Sequence, residues 1–282
     1  MIAVVDYQKG NLKSVERGLI AAGGKAFITA DASEIAKADT IVLPGVGAFA
    51  DAAATMCELG QMEVIRERVR AGVPFLGICL GEHLMFEHGV EGAPEGSPAC
   101  GLGLLPGTVV AMPRCDEQGK AFKVPHVGWN TIEMPACNGG AAIPPCGEGG
   151  GNAVLSSGGA GGGAARSSAA KRGLFEHGAF PGSAPQAGSE LAFPDSTPQP
   201  GSDLTFACPL FDGIAPGEYF YFTHSYIAPT GSHAIAETTH SVRFTSAVQY
   251  GDRAFGVQFH PEKSSDAGAR VLANFVAIAA RG

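Results

Sequence analysis

Hydrophobic and polar positions change period in blocks along this chain. Ile2–Val5 is an unbroken apolar run of strand length. Over residues 10–22, Leu12, Val15, Leu19 and Ile20 recur at helical spacing, and Gly23-Gly24 ends the segment. Residues 26–28 form a second short strand. Asp31 or Ser33 is placed to cap the short helix that follows, and residues 40–43 make a third strand. Residues 48–59 and 61–71 read as a helix pair. Val73 to Ile78 is a buried strand, with a helical stretch from Leu80 to about Glu87. Strands alternating with helices predict an α/β fold. Its sheet is mostly parallel, doubly wound and flanked by helices, with functional groups at the carboxyl ends of the strands.

The second half reads differently. Residues 101–107 are a turn-rich bridge, and residues 108–112 and 121–124 have strand character. After residue 218, strands at 219–223, 234–239, 244–250 and 254–259 are joined by short turns, which predicts an antiparallel strand subset beside the parallel sheet. A helix over 264–280 closes the chain, with Ser264 or Ser265 as its cap. Residues 138–203 have no amphipathic period. They are rich in Gly, Ala, Ser and Pro and include Gly158-Gly159-Ala160-Gly161-Gly162-Gly163. Such a stretch buries too little apolar surface to offset its ordering entropy and reads as a flexible insertion. No Gly-Lys-Ser/Thr follows the glycines, so a phosphate-binding loop is disfavoured. The expected organisation is a single domain over 1–282, interrupted at 138–203.

The candidate chemistry starts at Gly77-Ile78-Cys79-Leu80-Gly81. A strand, a sharp turn and a helix make a nucleophile elbow, and a Cβ at either glycine would clash in so tight a turn. A helix N-terminus beside Cys79 favours the thiolate, the reactive form. The base is sought in Gly256-Val257-Gln258-Phe259-His260-Pro261-Glu262. Side chains two apart on an extended segment point the same way, so Glu262 can orient His260. Cys79, His260 and Glu262 then supply nucleophile, base and orienter. His224 competes as base but lacks an adjacent carboxylate. His88, His177, His233 and His240 are expected in solvent. The glycines of Pro44-Gly45-Val46-Gly47, at the end of a strand, can present backbone N–H groups to a substrate oxygen.

Gly77-Ile78-Cys79-Leu80-Gly81 with His260-Pro261-Glu262 resembles the class I glutamine amidotransferases. Further stretches resemble one branch of that class, the glutaminase subunits of imidazole glycerol phosphate synthase. They are Asp6-Tyr7-Gln8-Lys9-Gly10-Asn11-Leu12, Pro44-Gly45-Val46-Gly47-Ala48-Phe49, Pro125-His126-Val127-Gly128-Trp129-Asn130, Tyr221-Phe222-Thr223-His224-Ser225-Tyr226 and Pro261-Glu262-Lys263-Ser264-Ser265. The resemblance implies an oxyanion hole from Gly45, Val46, Gly47 and the N–H of Leu80, and a glutamine grip from His224, Ser225 and Tyr226. It implies a heterodimer with a cyclase subunit, a (β/α)8 barrel, faced by Asn11, Arg17, Trp129 and Lys263. A buried core position is the alternative for Trp129. One departure stands out: the family usually has Gln four residues after the nucleophile, and this chain has His83, preceded by Glu82. Glu91 matches another glutamine-contacting position, with a solvated loop acid as the alternative.

Composition fits an enzyme of this kind. The formal net charge of −8 disfavours nucleic acid as partner. No apolar run is long enough for a membrane span, and the first residues read as a strand, not a signal peptide. Seven cysteines without framework spacing point to a reducing, cytoplasmic setting. Cys137, Cys146 and Cys208 lack zinc spacing, so neither metal nor cofactor is expected. The expected reaction is hydrolysis of glutamine to glutamate and ammonia, the ammonia passing to the cyclase. Two alternatives are a glutaminase subunit of another class I amidotransferase and a non-catalytic binding subunit that lost turnover through His83.

Overall fold

Five parallel strands carry the ends at which the candidate residues meet. A computed structural model of the chain describes residues 1–135 and 206–281. The expected insertion at 138–203 lies outside the described residues, as do His177, Cys137 and Cys146. In chain order, β1 (Ile2–Val5), α1 (Leu12–Ala21), β2 (Ala26–Thr29), α2 (Ala32–Lys37), β3 (Thr40–Gly45), α3 (Phe49–Glu58), α4 (Gln61–Arg70) and β4 (Phe75–Cys79) follow the periodicity closely. The Asp31 carboxylate accepts the Ser33 N–H at the start of α2, a side-chain cap of the expected kind.

The main sheet has seven strands in the order β11-β12-β13-β4-β3-β1-β2, with β11 (Ala234–Thr239), β12 (Arg243–Tyr250) and β13 (Ala254–Val257). From β13 to β2 every pairing is parallel, while β11 and β12 add an antiparallel edge. Both faces are covered, as a parallel sheet requires. Val4, Val42, Leu76 and Ile78 pack on one face with Val15 and Leu19 of α1 and with Val271, Leu272 and Phe275 of the closing helix. Val5, Ile41, Leu43 and Phe75 pack on the other with Phe49, Met56, Met62 and Ile65. Ile20, expected on the buried face of α1, is 52% exposed, because it is turned about 100° around the helix from the buried Leu19.

Tertiary pairing corrects the pattern at several places. The helix after Cys79 is only α5 (Leu80–His83), not a run to Glu87. The chain leaves it because Phe86 pairs with Leu105: β5 (Phe86–Gly89) lies parallel to β7 (Leu105–Ala111), and β6 (Ala99–Cys100) flanks β5. Four residues align too few peptide dipoles for the helix field expected to favour the thiolate. Residues 121–124 are not a strand. The neighbouring β8 (His126–Thr131) is, pairing antiparallel with β9 (Tyr219–His224) in a separate two-stranded sheet, so β9 is not part of the antiparallel edge. A two-residue strand, β10 (Tyr226–Ile227), joins β7. The closing helix α6 (Ser265–Ala280) begins at the expected place, but Ser264 does not cap it with its side chain. Its hydroxyl donates to His260 O at 2.7 Å and accepts the Tyr221 N–H at 3.0 Å, tying β9 to the turn at His260. Among the described residues no helix is long and apolar enough to cross a membrane.

Candidate active site

Strand register assembles the site. Gly45 lies opposite Cys79 in the β3–β4 pair, and Val257 lies opposite Ile78 in the β13–β4 pair. The ends of β1, β3, β4 and β13 therefore bring Tyr7, Val46, Cys79 and His260 to one rim, the place where a parallel sheet holds its ligands. The elbow is strained: Cys79 has φ +55°, a conformation a side chain rarely tolerates. It persists because the backbone on both sides is packed without slack. A Cβ on Gly81 would meet Leu43 O at 1.8 Å, and one on Gly77 would meet Gly81 O at 2.4 Å. The Cys79 thiol is buried and has Thr223 O at 3.8 Å.

His260 Nδ1 lies 3.0 Å from Glu262 Oε1, and the ring lines the same cavity as Cys79. Burial works against charge on this ring. Its hydrogen bonds to Cys79 and Glu262, with their negative charges, outweigh burial and raise its pKa to about 10. His260 is thus held as an imidazolium in the cavity that Cys79 also lines. A cavity of about 400 Å³ opens in front of this group. It is lined by Val46, Gly47, Cys79, Leu80, His83, Glu91, His224, Ser225, Tyr226 and His260, so the sequence-predicted substrate positions converge except Gly45. Gly45 sits behind the wall instead, where a Cβ would meet Tyr7 Oη at 2.6 Å. Glu91 is half-buried on the rim, not a freely solvated loop acid, and burial raises the pKa of its carboxyl.

The loop after β3 is held by a residue that sequence reasoning passed over. The Val46 N–H donates to Tyr7 Oη at 3.0 Å. Burial keeps that phenol protonated. The first N–H groups of α5, Leu80 among them, have no partner within their own helix.

Both ring nitrogens of His224 are hydrogen-bonded within the protein. Its Nδ1 donates to Tyr226 O at 2.8 Å, and its Nε2 accepts from His126 Nδ1 at 3.0 Å. Burial drives its pKa well below the usual value. His126, quoted in the sequence only as part of a stretch, is buried too, and burial lowers it to about 4. His240 stacks on His126 and donates to Lys123 O at 2.9 Å, while His233 donates to Pro229 O at 3.1 Å. Neither is simply solvated. His83 points inward, with Nε2 2.6 Å from Gln258 Oε1, and burial lowers it to about 4. Glu82 is fully buried, has no hydrogen-bond partner for either oxygen, and is kept protonated by burial first and then by its interaction with Cys79. Gln258 was legible as a buried polar residue in an apolar run, two before His260 and so on the same side of the chain.

Asn11, Arg17, Trp129 and Lys263 are all exposed, Trp129 by 45%, which removes the core alternative for that residue. Trp129 meets the edge of Tyr221, and the Lys263 ammonium lies 5.8 Å from the centre of the Tyr221 ring. Helix α1 packs against the turn at 261–263.

The family described as glutamine amidotransferase class-I matches residues 3–135 and 193–279. The chain is 35% identical to the imidazole glycerol phosphate synthase subunit HisH of Moorella thermoacetica over 97% of this chain and 93% of that protein. It is 33% identical to the subunit of the same name from Rhodopirellula baltica, over 98% and 96%. Two solved structures share the fold at 14% identity. A glutamine amidotransferase has a TM-score of 0.56, covering 99% of this chain and all of that one. The Thermotoga maritima PurLQS structure has a TM-score of 0.53, covering 98% and 97%. The elbow, the parallel sheet that positions it and the length of chain matched agree, and this chain belongs to the class I glutamine amidotransferase family.

Proposed function

We propose that this chain is the glutaminase subunit of an imidazole glycerol phosphate synthase, working with a cyclase subunit in histidine biosynthesis. The observation that carries the proposal is the convergence of Cys79 and His260 on one cavity, with Glu262 outside it and 3.0 Å from His260. Near-full-length similarity to subunits of that name supports it.

In this reading the Cys79 thiolate attacks the side-chain amide carbon of glutamine. The His260 imidazolium gives its proton to the departing nitrogen, and ammonia leaves a thioester. Neutral His260 then takes a proton from water, which attacks the thioester and releases glutamate and the thiolate. Glu262 holds the ring in line. Gly47 and the Leu80 N–H face the developing oxyanion, the Val46 N–H joins them when it leaves Tyr7 Oη, and Ser225, Tyr226 and Glu91 bind the substrate's other end. Trp129, Lys263, Asn11 and Arg17 form the docking face for the cyclase. The family match leaves out residues 136–192, which supports one amidotransferase domain interrupted by an insertion.

The test is a reconstitution with a cyclase subunit, fed either glutamine or ammonia. Cys79→Ala should remove glutamine-dependent product formation and leave ammonia-dependent formation intact. Glutamine turnover by that variant would overturn the nucleophile. Absence of glutamine turnover in the assembled wild type would favour the non-catalytic alternative.

A further inference from the structure

We propose that Gln258 is a second hydrogen-bond donor to the reacting sulfur, after His260, and that His83 is the residue that positions it. The inference rests on the reading of Cys79 as nucleophile.

Register places Gln258 where it must act. Val257 pairs with Ile78, so the next residue on each strand, Gln258 and Cys79, are neighbours at the sheet's end. Gln258 has no solvent exposure, although it stands between Val257 and Phe259 in an apolar run. A buried amide is costly unless both its ends are used, and both are. Oε1 lies 2.6 Å from His83 Nε2, and Nε2 lies 3.7 Å from Cys79 Sγ. Oε1 is an acceptor only, so His83 must present its Nε2–H to it. That contact turns the amide N–H towards sulfur. The relay runs from His83 through Gln258 to Cys79 and is directed at every step.

The donor matters because of what else faces this sulfur. His260, with Glu262 behind it, approaches from the turn after β13. Glu82 comes from α5 and Tyr7 from the end of β1, while His83, His224 and Lys263 line the same cavity. Of the groups that interact with the sulfur itself only His260 offers positive charge, and it gives up its proton when ammonia leaves. At that stage the thioester sulfur must still depart as a thiolate. A neutral donor that titrates with nothing remains available there, and N–H groups bind an anion more strongly than a thioether-like sulfur.

His83 stands where the family usually has Gln. In this chain its ring nitrogen is spent on Gln258, so its part is positioning, with a secondary effect on the cavity it lines.

The experiment follows alkylation of Cys79 by iodoacetamide across pH, read on the Cys79 peptide by mass spectrometry, together with kcat and KM of the assembled enzyme. Gln258→Leu should slow alkylation at neutral pH about tenfold, the effect expected for loss of one hydrogen bond to a charged group. It should move the alkylation profile to higher pH and lower kcat similarly, with KM within about twofold. His83→Phe should shift the profile in the same direction, His83→Gln should restore it, and the double variant should be no worse than Gln258→Leu. A folded Gln258→Leu variant with a wild-type profile overturns the proposal. If that variant does not fold, His83→Phe decides, a wild-type profile again overturning it. Alkylated wild-type enzyme that still hydrolyses glutamine would instead remove the nucleophile assignment, and the relay with it.

Discussion

Two histidines border the same cavity from different strand ends, His260 after β13 and His224 at the end of β9. Each is 6% exposed, so burial opposes charge on both. Their outcomes are opposite. His260 is raised to about 10, because a thiol on one side and a carboxylate on the other return more than burial removes. His224 falls well below the usual value, because its partners are a carbonyl and a neutral imidazole. Depth in the fold therefore does not set the charge of the ring. The chemistry of its neighbours does, Cys79 and then Glu262 for His260.

The strongest way to break the comparison is to remove each ring in turn. His260→Asn should lower kcat by about 10²–10⁴-fold, the usual worth of a positioned acid–base group. His224→Asn should cost less than about tenfold in kcat while lowering the melting temperature, since His126 then loses its acceptor. Comparable losses of kcat from both would show that the two sites are not distinct in role.

A subtler change makes His260 resemble His224. Glu262→Gln removes the carboxylate but keeps the shape, and should lower kcat by about 10²-fold. Glu262 helps raise the folded pKa of His260, so its loss lets the ring give up its proton at lower pH. The alkaline limb of Cys79 alkylation should accordingly shift down. An unmoved limb would mean that Cys79 alone holds the proton on His260.

Smaller in size is the effect of freeing the loop at Val46. Tyr7 holds the Val46 N–H at 3.0 Å. Loss of one hydrogen bond, about 1 kcal/mol, changes a two-state equilibrium about fivefold. Tyr7→Phe should raise glutamine hydrolysis by the isolated chain by that factor, leave the cyclase-saturated rate within about twofold, and so shrink the stimulation. A basal rate equal to wild type would show that the phenol does not restrain the loop.

Last comes stability against acid. His83 and His126 have folded values of about 4, and His224 is also depressed, all below the unfolded value of about 6.5. Between these limits the unfolded chain binds more protons, so these groups cost stability as pH falls from about 6.5 to 4 and cost nothing above that window. The urea midpoint should drop between pH 7 and pH 4.5, and His126→Asn should flatten the drop. Glu82 has the opposite sign, its folded value being raised, and its contribution is lost as pH rises above the ordinary carboxylate value. Glu82→Gln should therefore stabilise the protein more at pH 7 than at pH 4.5.

The alternating strands and helices from Ile2 to Ile78 were legible because each is specified by periodicity over a few residues. The elbow and the His260–Glu262 pair were legible for the same reason: glycine spacing and a separation of two are local facts. Where the chain's behaviour depended on a distant strand, the pattern failed. Helix α5 stops at His83 because Phe86 finds Leu105, and residues 121–124 lose to His126–Thr131 because β9 pairs with the latter. Only the tertiary structure decided that Tyr7 meets Val46, that His83 turns to Gln258 rather than wholly to the cavity, and that His224 is spent on His126. Each of these is a hydrogen bond between groups far apart in sequence, and a donor's partner is set by which strand ends the sheet brings together, a quantity no local window contains.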